Sequence, residues 1–365
     1  MLNSLFDLLP GEEELKKSFI KEDSNEWKWW FKDYPKNNGL NVFSLFACGG
    51  GSTMGYKLAG CNVLGCVEID YRMNQIYLKN HNPKFNFLMD VRDFNKLDNL
   101  PKELYNLDIL DGSPPCSTFS LAGKREKHWG KELFFKEGQK LQTLDDLPFV
   151  MIDTVKKLKP KVVIMENVEG LLYGKAFNYV RNIFKRFNDI GYSVRLKLLK
   201  CEDMGIPQKR HRVFFIATRL NFDLEKINLN FNCLPIKYKD IRMGIGRAID
   251  INSLTYDLVY KAIFKDRSLK DTKSRYGLKP SCFQNIYVRS NDILPTICCN
   301  SSFIDIECKT YVSNETIISA QTFPQDFDFL GNNATKITNV CGMSVPPVML
   351  KKLTTRIIES GIFDN

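Results

Sequence analysis

The chain has 365 residues, enough for one large or two modest domains with a buried core. Lysine and arginine number 52 against 42 acidic residues, and the resulting charge of +10 fits a polyanionic partner such as nucleic acid, although proteins without such a partner also carry it. The 11 cysteines form no CxxC pair and there are only three histidines, which argues against a structural zinc site. The chain shows no signal peptide and no bilayer-spanning apolar run, so we expect a cytoplasmic protein with free thiols.

The first 38 residues are charged and contain Trp27, Trp29 and Trp30. We expect an N-terminal helical extension whose aromatic side chains pack against the main body. From residue 39 to about 222, short apolar runs alternate with amphipathic segments, which is typical of a mostly parallel sheet covered by helices on both faces. Predicted strands are 40–46, 62–67, 85–89, 107–110, 162–165, 192–199 and 213–217, and predicted helices include 149–158 and 177–190.

The alternation stops after about residue 219. Residues 223–310 hold asparagine, lysine and scattered aromatics without a strand–helix repeat, and we interpret them as a second, smaller domain. A helical pattern returns over about 311–365. We therefore expect this last segment to complete the first domain.

Polar residues and glycines follow five successive predicted strands. They are Cys48 to Gly51, Glu68, Asp90, Gly112 to Cys116, and Glu166 with Asn167. Ligands of open α/β sheets bind outside the carboxyl ends of the strands, so this pattern indicates a nucleotide-like ligand beside a reaction centre. The glycine spacing is not G-x-G-x-x-G, while a carboxylate after the second strand suits a ribose diol, so adenosine with a short tail fits better than a dinucleotide. A simple tight turn is the alternative for the glycines.

Cys116 follows two prolines, which stiffen the loop and hold the thiol in place. A free thiol is mostly protonated at neutral pH, so a nucleophilic cysteine needs positive charge nearby. Arg210 and Arg212 alternate at a strand start, which predicts that both side chains lie on one face and supply that charge. The plain alternatives are a buried core thiol and a solvated basic surface.

Several motifs resemble those of the DNA (cytosine-5) methyltransferases, in particular those of bacterial and phage restriction–modification systems. Each motif alone is weak to moderate, but together they follow the family's order over about residues 40–350. The matching segments are 45–55 (cofactor loop), 112–120 (nucleophile loop), 166–168 (glutamate motif), 205–212 (Q-x-R-x-R), 321–324 and 342–347 (C-terminal motifs).

The resemblance implies a Rossmann-like S-adenosylmethionine-dependent methyltransferase sheet, with a catalytic and cofactor-binding domain over 39–222 and a target-recognition domain over 223–310. It implies methyl transfer from S-adenosylmethionine to C5 of a cytosine in a short double-stranded DNA sequence, without a metal. It also implies the residues of the cofactor pocket, which are Phe46, Gly50, Gly51, Glu68, Ile69, Asp90, Val91, Pro114, Leu147, Ser344 and Val345.

The catalytic set implied by the resemblance is Cys116, Glu166, Arg210 and Arg212. Cys116 adds to C6 of the cytosine, Glu166 meets N3, and Arg212 with Arg210 near it stabilises charge at O2. The target base has to leave the duplex stack. A monomer is the family's habit, and a restriction endonuclease acting separately is an open partner.

Several positions depart from the family pattern: Ser44 replaces an aspartate, Cys48 a glycine, Ser117 a glutamine and Met343 an asparagine, while Lys200 and Met204 break a usual asparagine and tyrosine. The catalytic set is intact, so we expect activity. Two alternatives remain: a tRNA cytosine-5 methyltransferase, which the residues after Cys116 disfavour, and a DNA-binding protein on a decayed methyltransferase scaffold. An oxidoreductase is disfavoured by the glycine spacing.

Overall fold

A seven-stranded sheet forms the centre of the computed structural model, which describes residues 26–115, 146–174, 176–281, 285–331 and 333–364. The strands of the first part of the chain are β1 (Asn41–Leu45), β2 (Asn62–Glu68), β3 (Phe85–Leu88), β4 (Ile109–Gly112), β5 (Val162–Val168), β6 (Ser193–Lys200), β7 (Gln208–Lys209) and β8 (His211–Thr218). Their order in the sheet is β3-β2-β1-β4-β5-β8-β6, and β7 lies outside it. Strands β1 to β5 are parallel, whereas β8 runs antiparallel to both neighbours. The predicted α/β class with a mostly parallel sheet is confirmed.

Helices cover both faces of the sheet because its central strands are apolar on both sides. Along β5, Val163 packs in one core and Ile164 in the other, as the two-residue period of a strand requires. The helices of this part are α1 (Gly51–Leu58), α2 (Tyr71–His81), α3 (Val91–Lys96), α4 (Leu147–Leu158) and α5 (Ala176–Asp189). Helices α3, α4 and α5 contribute to the core with Val163, and α1 contributes to the core with Ile164.

The described part of the N-terminal segment is anchored by tryptophans. Trp27 and Trp29 are buried, and Trp29 Nε1 donates a hydrogen bond to the carbonyl oxygen of Thr322 at 2.8 Å. Trp30 is exposed, and a short 3₁₀ helix follows at Phe31–Asp33. The predicted helix of this extension falls mainly on residues 1–25, which lie outside the described residues.

A smaller unit with a core of its own follows the main sheet. Its elements are α6 (Tyr238–Ile241), α7 (Leu254–Tyr260), α8 (Leu269–Arg275), β9 (Asn285–Val288), β10 (Leu294–Pro295), β11 (Ser302–Asp305) and β12 (Thr310–Tyr311). Strands β9, β11 and β12 form a three-stranded sheet over a small cluster that includes Leu258, Leu269 and Ile304. Strand β10 pairs with β7, which ties this unit to the main one.

The chain then returns to the main unit through α9 (Asn314–Ala320), α10 (Ala334–Met343) and α11 (Pro347–Glu359). Helix α11 packs against α1, where Leu350 and Leu353 share a core with Tyr56. Helix α11 therefore covers the same face of the sheet as α1, whereas α9 and α10 pack in a separate cluster with Met54 and Ile76. Within the described ranges, the chain contains no helix long and apolar enough to cross a bilayer.

Candidate active site

The candidate site lies at the carboxyl ends of β1, β2, β4 and β5. After β1 the chain moves outward through β2 and β3, and β4 then pairs with the other side of β1. This reversal opens a crevice between the loops that follow β1 and β4, where open α/β sheets bind their ligands. The loop after β1 begins with Phe46, whose φ of 56° marks a sharp change of direction.

Two glycines of that loop are required by close approaches to other segments. Gly50 has a φ of 89°, and a Cβ at this position would lie 2.0 Å from His81 Nε2. A Cβ on Gly51 would lie 2.4 Å from the carbonyl oxygen of Val345. The loop therefore fits between α2 and the segment Ser344–Val345, which brings both predicted C-terminal pocket residues to the start of α1.

The side chain of His81 packs against the same loop and forms a hydrogen bond with its backbone. Its Nε2 is 3.1 Å from the carbonyl oxygen of Gly49, and burial lowers the pKa of the imidazole to about 3. The ring is therefore neutral, and Nε2 carries the proton because a carbonyl oxygen only accepts. The sequence analysis assigned His81 no role, and its position at the C-terminal end of a helix gave no signal of one.

Glu68 ends β2 with a buried carboxylate. Oε2 accepts from the backbone N–H of Cys48 at 2.6 Å, and Oε1 accepts from that of Asp70 at 2.8 Å. Burial raises the pKa of this carboxyl group, while the two backbone hydrogen bonds oppose the rise. Each oxygen keeps a lone pair for a further donor, so the group fits a pair of ribose hydroxyls. Ile69 follows it directly, at the same edge of the sheet.

The next pocket residues sit at helix starts. Asp90 caps α3, because its side chain accepts from the backbone N–H of Arg92 at 2.7 Å, and it also pairs with the Arg92 guanidinium at 3.2 Å. Val91, the first residue of α3, is buried, as is Leu147 at the start of α4. These residues lie after β3 and after the undescribed segment 116–145, respectively.

Glu166 and Arg212 form a buried ion pair across β5 and β8. Arg212 Nε lies 2.7 Å from Glu166 Oε1, and the two side chains are 14% and 11% exposed. In the strand register Arg212 stands opposite Val168, so the pair is a diagonal contact on one face of the sheet. The structure thus joins two of the four predicted catalytic residues directly.

Asn167 links this strand to the proline loop. Its side-chain amide donates to the carbonyl oxygen of Pro114 at 3.4 Å, and the residue is 2% exposed. Pro114 and Pro115 lead into Cys116, which lies outside the described residues together with Ser117. Pro114 therefore lies beside Asn167, the residue that follows Glu166, and the described chain is interrupted after Pro115.

Arg210 has a different environment from Arg212. Its two terminal nitrogens donate to three backbone carbonyls, those of Ile297 at 3.0 Å, Gly342 at 3.3 Å and Ser344 at 2.9 Å. Burial lowers the pKa of its guanidinium to about 10, which keeps the group charged at neutral pH. The observed hydrogen bonds tie the segments around residues 297 and 342–344 to the start of β8 instead of pointing to Glu166.

Asp111 is a buried acid that the sequence analysis passed over. It stands opposite Ser44 in the β1–β4 register, and its Oδ1 accepts from the hydroxyl of Tyr56 at 3.0 Å. Burial raises its pKa to about 7. Ser44 occupies the place where the resembling family has an aspartate, so a carboxylate is present at this point from the neighbouring strand. An acid inside the apolar run before Gly112 was the available signal.

In the described ranges, no three His, Cys, Asp or Glu side chains are arranged to hold a metal ion.

The sheet order, with β8 inserted antiparallel, and the buried carboxylate after β2 define a Rossmann-like S-adenosylmethionine-dependent methyltransferase fold. The fold is similar to that of a DNMT2 variant from Spodoptera frugiperda (15% identity, TM-score 0.60, 88% of this chain and 100% of that one). It is also similar to Entamoeba histolytica methyltransferase EhMeth (15%, TM-score 0.57, 90% and 99%).

The family follows from the sequence match. A family model described as C-5 cytosine-specific DNA methylase matches residues 40–359, and the chain belongs to this family. It is 30% identical over 205 residues to Type II methyltransferase M.FnuDI of Fusobacterium nucleatum, which covers 55% of this chain and 52% of the relative. It is 25% identical over 342 residues to M1.HphI of Haemophilus parahaemolyticus, with 88% and 87% covered. Matches to M.FnuDI and M.DdeI span about half or less of those proteins, 52% and 41%.

Proposed function

We propose that this protein transfers a methyl group from S-adenosylmethionine to C5 of a cytosine within a short double-stranded DNA sequence. The observation that carries the proposal is the buried Glu166–Arg212 pair, tied through Asn167 to the proline loop before Cys116. Such a pair places an acid and a fixed positive charge beside the segment that holds a thiol. Those are the groups that nucleophilic attack on a pyrimidine requires.

The cofactor pocket we propose is the crevice lined by the loop after β1 and the end of β2. Glu68 would hold the ribose hydroxyls, with Ile69 beside the ring, and Phe46 would stack near the adenine. Asp90, Val91, Pro114, Leu147, Ser344 and Val345 would complete the pocket. Gly50 and Gly51 let His81 and the carbonyl oxygen of Val345 pack closely against this loop, which would fix one wall of the crevice. When bound, S-adenosylmethionine supplies an electrophilic methyl group.

The reaction begins at Cys116 in this proposal. Its thiolate forms a bond to C6 of the cytosine, which breaks the aromaticity of the ring and makes C5 nucleophilic. Negative charge develops toward N3 and O2, where the acid form of Glu166 would donate a proton to N3 and recover it when the adduct breaks down, and Arg212 would stabilise charge at O2. After C5 is methylated, a base removes the C5 proton and the bond to Cys116 breaks by elimination.

We assign Arg210 a positioning role in this scheme. Its two terminal nitrogens donate to the carbonyl oxygens of Ile297, Gly342 and Ser344, whereas its buried Nε has no hydrogen-bond partner among the described residues. The guanidinium would therefore hold the C-terminal wall of the pocket and contribute positive charge at a distance. The sequence analysis placed it beside Arg212 in the charge-stabilising role. The hydrogen bonds favour different roles for the two arginines: Arg210 holds the pocket wall, and Arg212 stabilises charge at O2.

The thiol of Cys116 reaches a ring face only if the cytosine leaves the stack, which costs a few kcal/mol. We propose that residues 223–310 form the target-recognition domain, with most basic side chains on phosphates and few on bases. The basic residues of this range include Lys237, Lys239, Arg242, Arg247, Lys265, Arg267, Lys270, Lys273, Arg275 and Arg289. Relatives are named Type II methyltransferases, and one is an orphan methyltransferase of Bacillus phage rho11s, so we infer a role in restriction–modification or as a solitary methylase.

The decisive experiment is conversion-based 5-methylcytosine sequencing of plasmid from a host that lacks cytosine methylases and expresses this chain. We expect methylation at one short motif with the wild-type protein, and none with Cys116→Ser. Cys61→Ser is the matched control, because Cys61 precedes β2 at the opposite end of the sheet and is not part of the site. Methylation by Cys116→Ser, or an unmethylated plasmid with soluble wild-type protein, would contradict the proposal.

The covalent step has its own test once the motif is known. An oligonucleotide with 5-fluorocytosine at the target position blocks the elimination, because fluorine does not leave as a cation. Wild-type protein should then form a denaturation-stable adduct with the DNA, and Cys116→Ser should not. An adduct that persists in the Cys116→Ser protein would remove Cys116 from the nucleophile role.

A further inference from the structure

His211 lies between two carboxylates. Its Nδ1 is 3.0 Å from Glu169 Oε2, and its Nε2 is 2.8 Å from Glu202 Oε1. Glu169 begins the 3₁₀ helix Glu169–Leu172 that follows β5, and Glu202 lies in the 3₁₀ helix Cys201–Met204 that follows β6. The imidazole therefore joins three segments, because His211 itself begins β8.

This geometry determines the protonation state of the ring. Ionised carboxylates only accept hydrogen bonds, and a neutral imidazole has one N–H and one acceptor nitrogen. Both short contacts are satisfied together only by the imidazolium, which has two N–H donors. The hydrogen bond that His211 donates to Glu202 raises the pKa of His211, burial opposes the rise, and the charge of Glu202 and the contact with Glu169 add to it.

The imidazolium is directly connected to the proposed catalytic pair. The carbonyl oxygen of His211 accepts from Arg212 Nη1 at 2.7 Å, while Arg212 Nε binds Glu166. On the other side, Glu169 lies three residues after Glu166 in the chain. A change at His211 therefore acts on both members of the Glu166–Arg212 pair through the backbone that carries them.

Other charged groups also surround the ring. Lys200 stands opposite His211 in the β6–β8 register, and Asp203 follows Glu202 in its 3₁₀ helix. The charge of His211 opposes the burial-driven rise in the pKa of Asp203. Glu169, Glu202 and Asp203 are three acids against His211 and Lys200, so loss of the imidazolium charge leaves an excess of negative charge at this edge.

We propose that His211 is a positioning residue whose charged imidazole holds the Glu166–Arg212 pair in its productive geometry, so that methyl transfer requires the protonated ring. The proposal rests on the function proposed above. Because the folded pKa is raised, both hydrogen bonds are intact below that pKa, and one of them is lost as the pH rises through it. One carboxylate then faces a nitrogen lone pair, and its segment is released.

The test is the pH dependence of kcat for methylation of a duplex that contains the target motif. Wild-type protein should show an alkaline decrease in kcat. His211→Gln should lose that decrease and have a kcat lower by about tenfold to 10²-fold, because misplacement of catalytic groups by about 1 Å costs up to that much. Its KM for S-adenosylmethionine should not change, since the cofactor pocket is not touched.

A second variant guards against a folding defect in His211→Gln. Glu202→Gln keeps the volume of the side chain but removes the carboxylate nearer to the imidazole, at 2.8 Å, and it should move the alkaline decrease to lower pH. Glu103→Gln is the matched control, because Glu103 is in an exposed ion pair with Lys84 (2.8 Å) away from the site, and it should match the wild type. Wild-type kcat and an unmoved alkaline decrease in both test variants would overturn the inference.

A readout without turnover separates this inference from the proposed function. The chain has only three histidines, so ring ¹⁵N NMR titration is tractable, and His211→Gln assigns the signal. We expect a protonated His211 ring at pH 7, and a neutral ring would refute the inference even in an active enzyme. An unmethylated duplex with wild-type protein would remove the proposed function and this inference with it.

Discussion

At the scale of single residues, Glu68 has two separable tasks. Its carboxylate fixes the backbone N–H groups of Cys48 and Asp70, and in our proposal it also binds the ribose hydroxyls. Removing the whole side chain leaves two amides without their acceptor, which costs stability as well as affinity. A substitution that keeps the shape and removes the charge is therefore more informative than truncation.

Glu68→Gln should weaken S-adenosylmethionine binding by about tenfold or more, since a hydrogen bond to a charged group contributes about 1.5–3 kcal/mol. Affinity for duplex DNA should be unchanged. Isothermal titration calorimetry measures the first and fluorescence anisotropy the second, with Glu103→Gln as control. Equal cofactor affinity in Glu68→Gln and wild type would exclude Glu68 from the cofactor site.

The residue-level site was predictable where residue type carries the chemistry. Glu166 and Arg212 were identified from motif order, and the structure joins them at 2.7 Å. The partners of Arg210 were not predictable, because they are carbonyl oxygens 87 and 134 residues away, at Ile297 and Ser344, and every residue has a carbonyl. Asp111 was missed because an acidic residue within an apolar run suggested that the strand had ended before it.

At the scale of elements, the start of α1 depends on a glycine for two reasons. Gly50 has positive φ, and its missing Cβ makes room for His81. Gly191 provides a matched comparison, because its φ is 83° and no atom lies within 4 Å of the position of a Cβ. The two sites share the backbone cost and differ in the contact.

Gly191→Ala should destabilise the protein by about 1–2 kcal/mol, the cost of a left-handed residue with a side chain. Gly50→Ala should cost about 1–3 kcal/mol more, because the methyl group overlaps the buried imidazole. It should also weaken S-adenosylmethionine binding, whereas Gly191→Ala should not. Urea denaturation and calorimetry measure the two effects, and equal losses of stability would show that His81 yields without cost.

Most strands were predictable because they are buried on both faces and read as continuous apolar runs. The exception is instructive: the fourth strand was expected at 107–110 and lies at Ile109–Gly112. Aspartate and glycine are poor strand formers, so Asp111 and Gly112 were not recognised as the last two residues of β4. The antiparallel insertion of β8 between β5 and β6 was not predicted, because strand order depends on contacts between distant segments.

At the scale of the whole molecule, the net charge of +10 predicts how DNA binding responds to salt. If about five basic side chains contact phosphates, the slope of log K against log salt should be about −4 to −5. Lys265→Gln with Lys270→Gln, both exposed in the smaller unit, should reduce its magnitude by about 1–2. Lys185→Gln on α5, an exposed residue of the main unit, should leave it unchanged. Equal slopes in all three proteins would exclude the smaller unit from phosphate contact.

The helices and strands of the smaller unit could not be predicted from the sequence, for a physical reason. Its helices and strands have two to seven residues, too few for a hydrophobic period to be distinguished from chance. Its described core is correspondingly small, and parts of 223–310 pack elsewhere: Leu224, Ile227 and Leu229 join the core of the main sheet. The limits 223–310 that we propose for the target-recognition domain therefore reflect the change in sequence pattern more than the observed packing.

The packing of the C-terminal segment around Val345 and α11 against the start of α1 has a consequence for synthesis in the cell. The loop at Gly51 is closed by the carbonyl of Val345, and α1 is covered by α11. Translation proceeds at about 5–20 residues per second, so some 15 seconds or more separate the emergence of the loop from that of its cover. A ribosome-bound chain thus lacks one wall of the proposed cofactor pocket until Val345 and α11 have been made, so we expect a nascent or prematurely terminated polypeptide to transfer no methyl group.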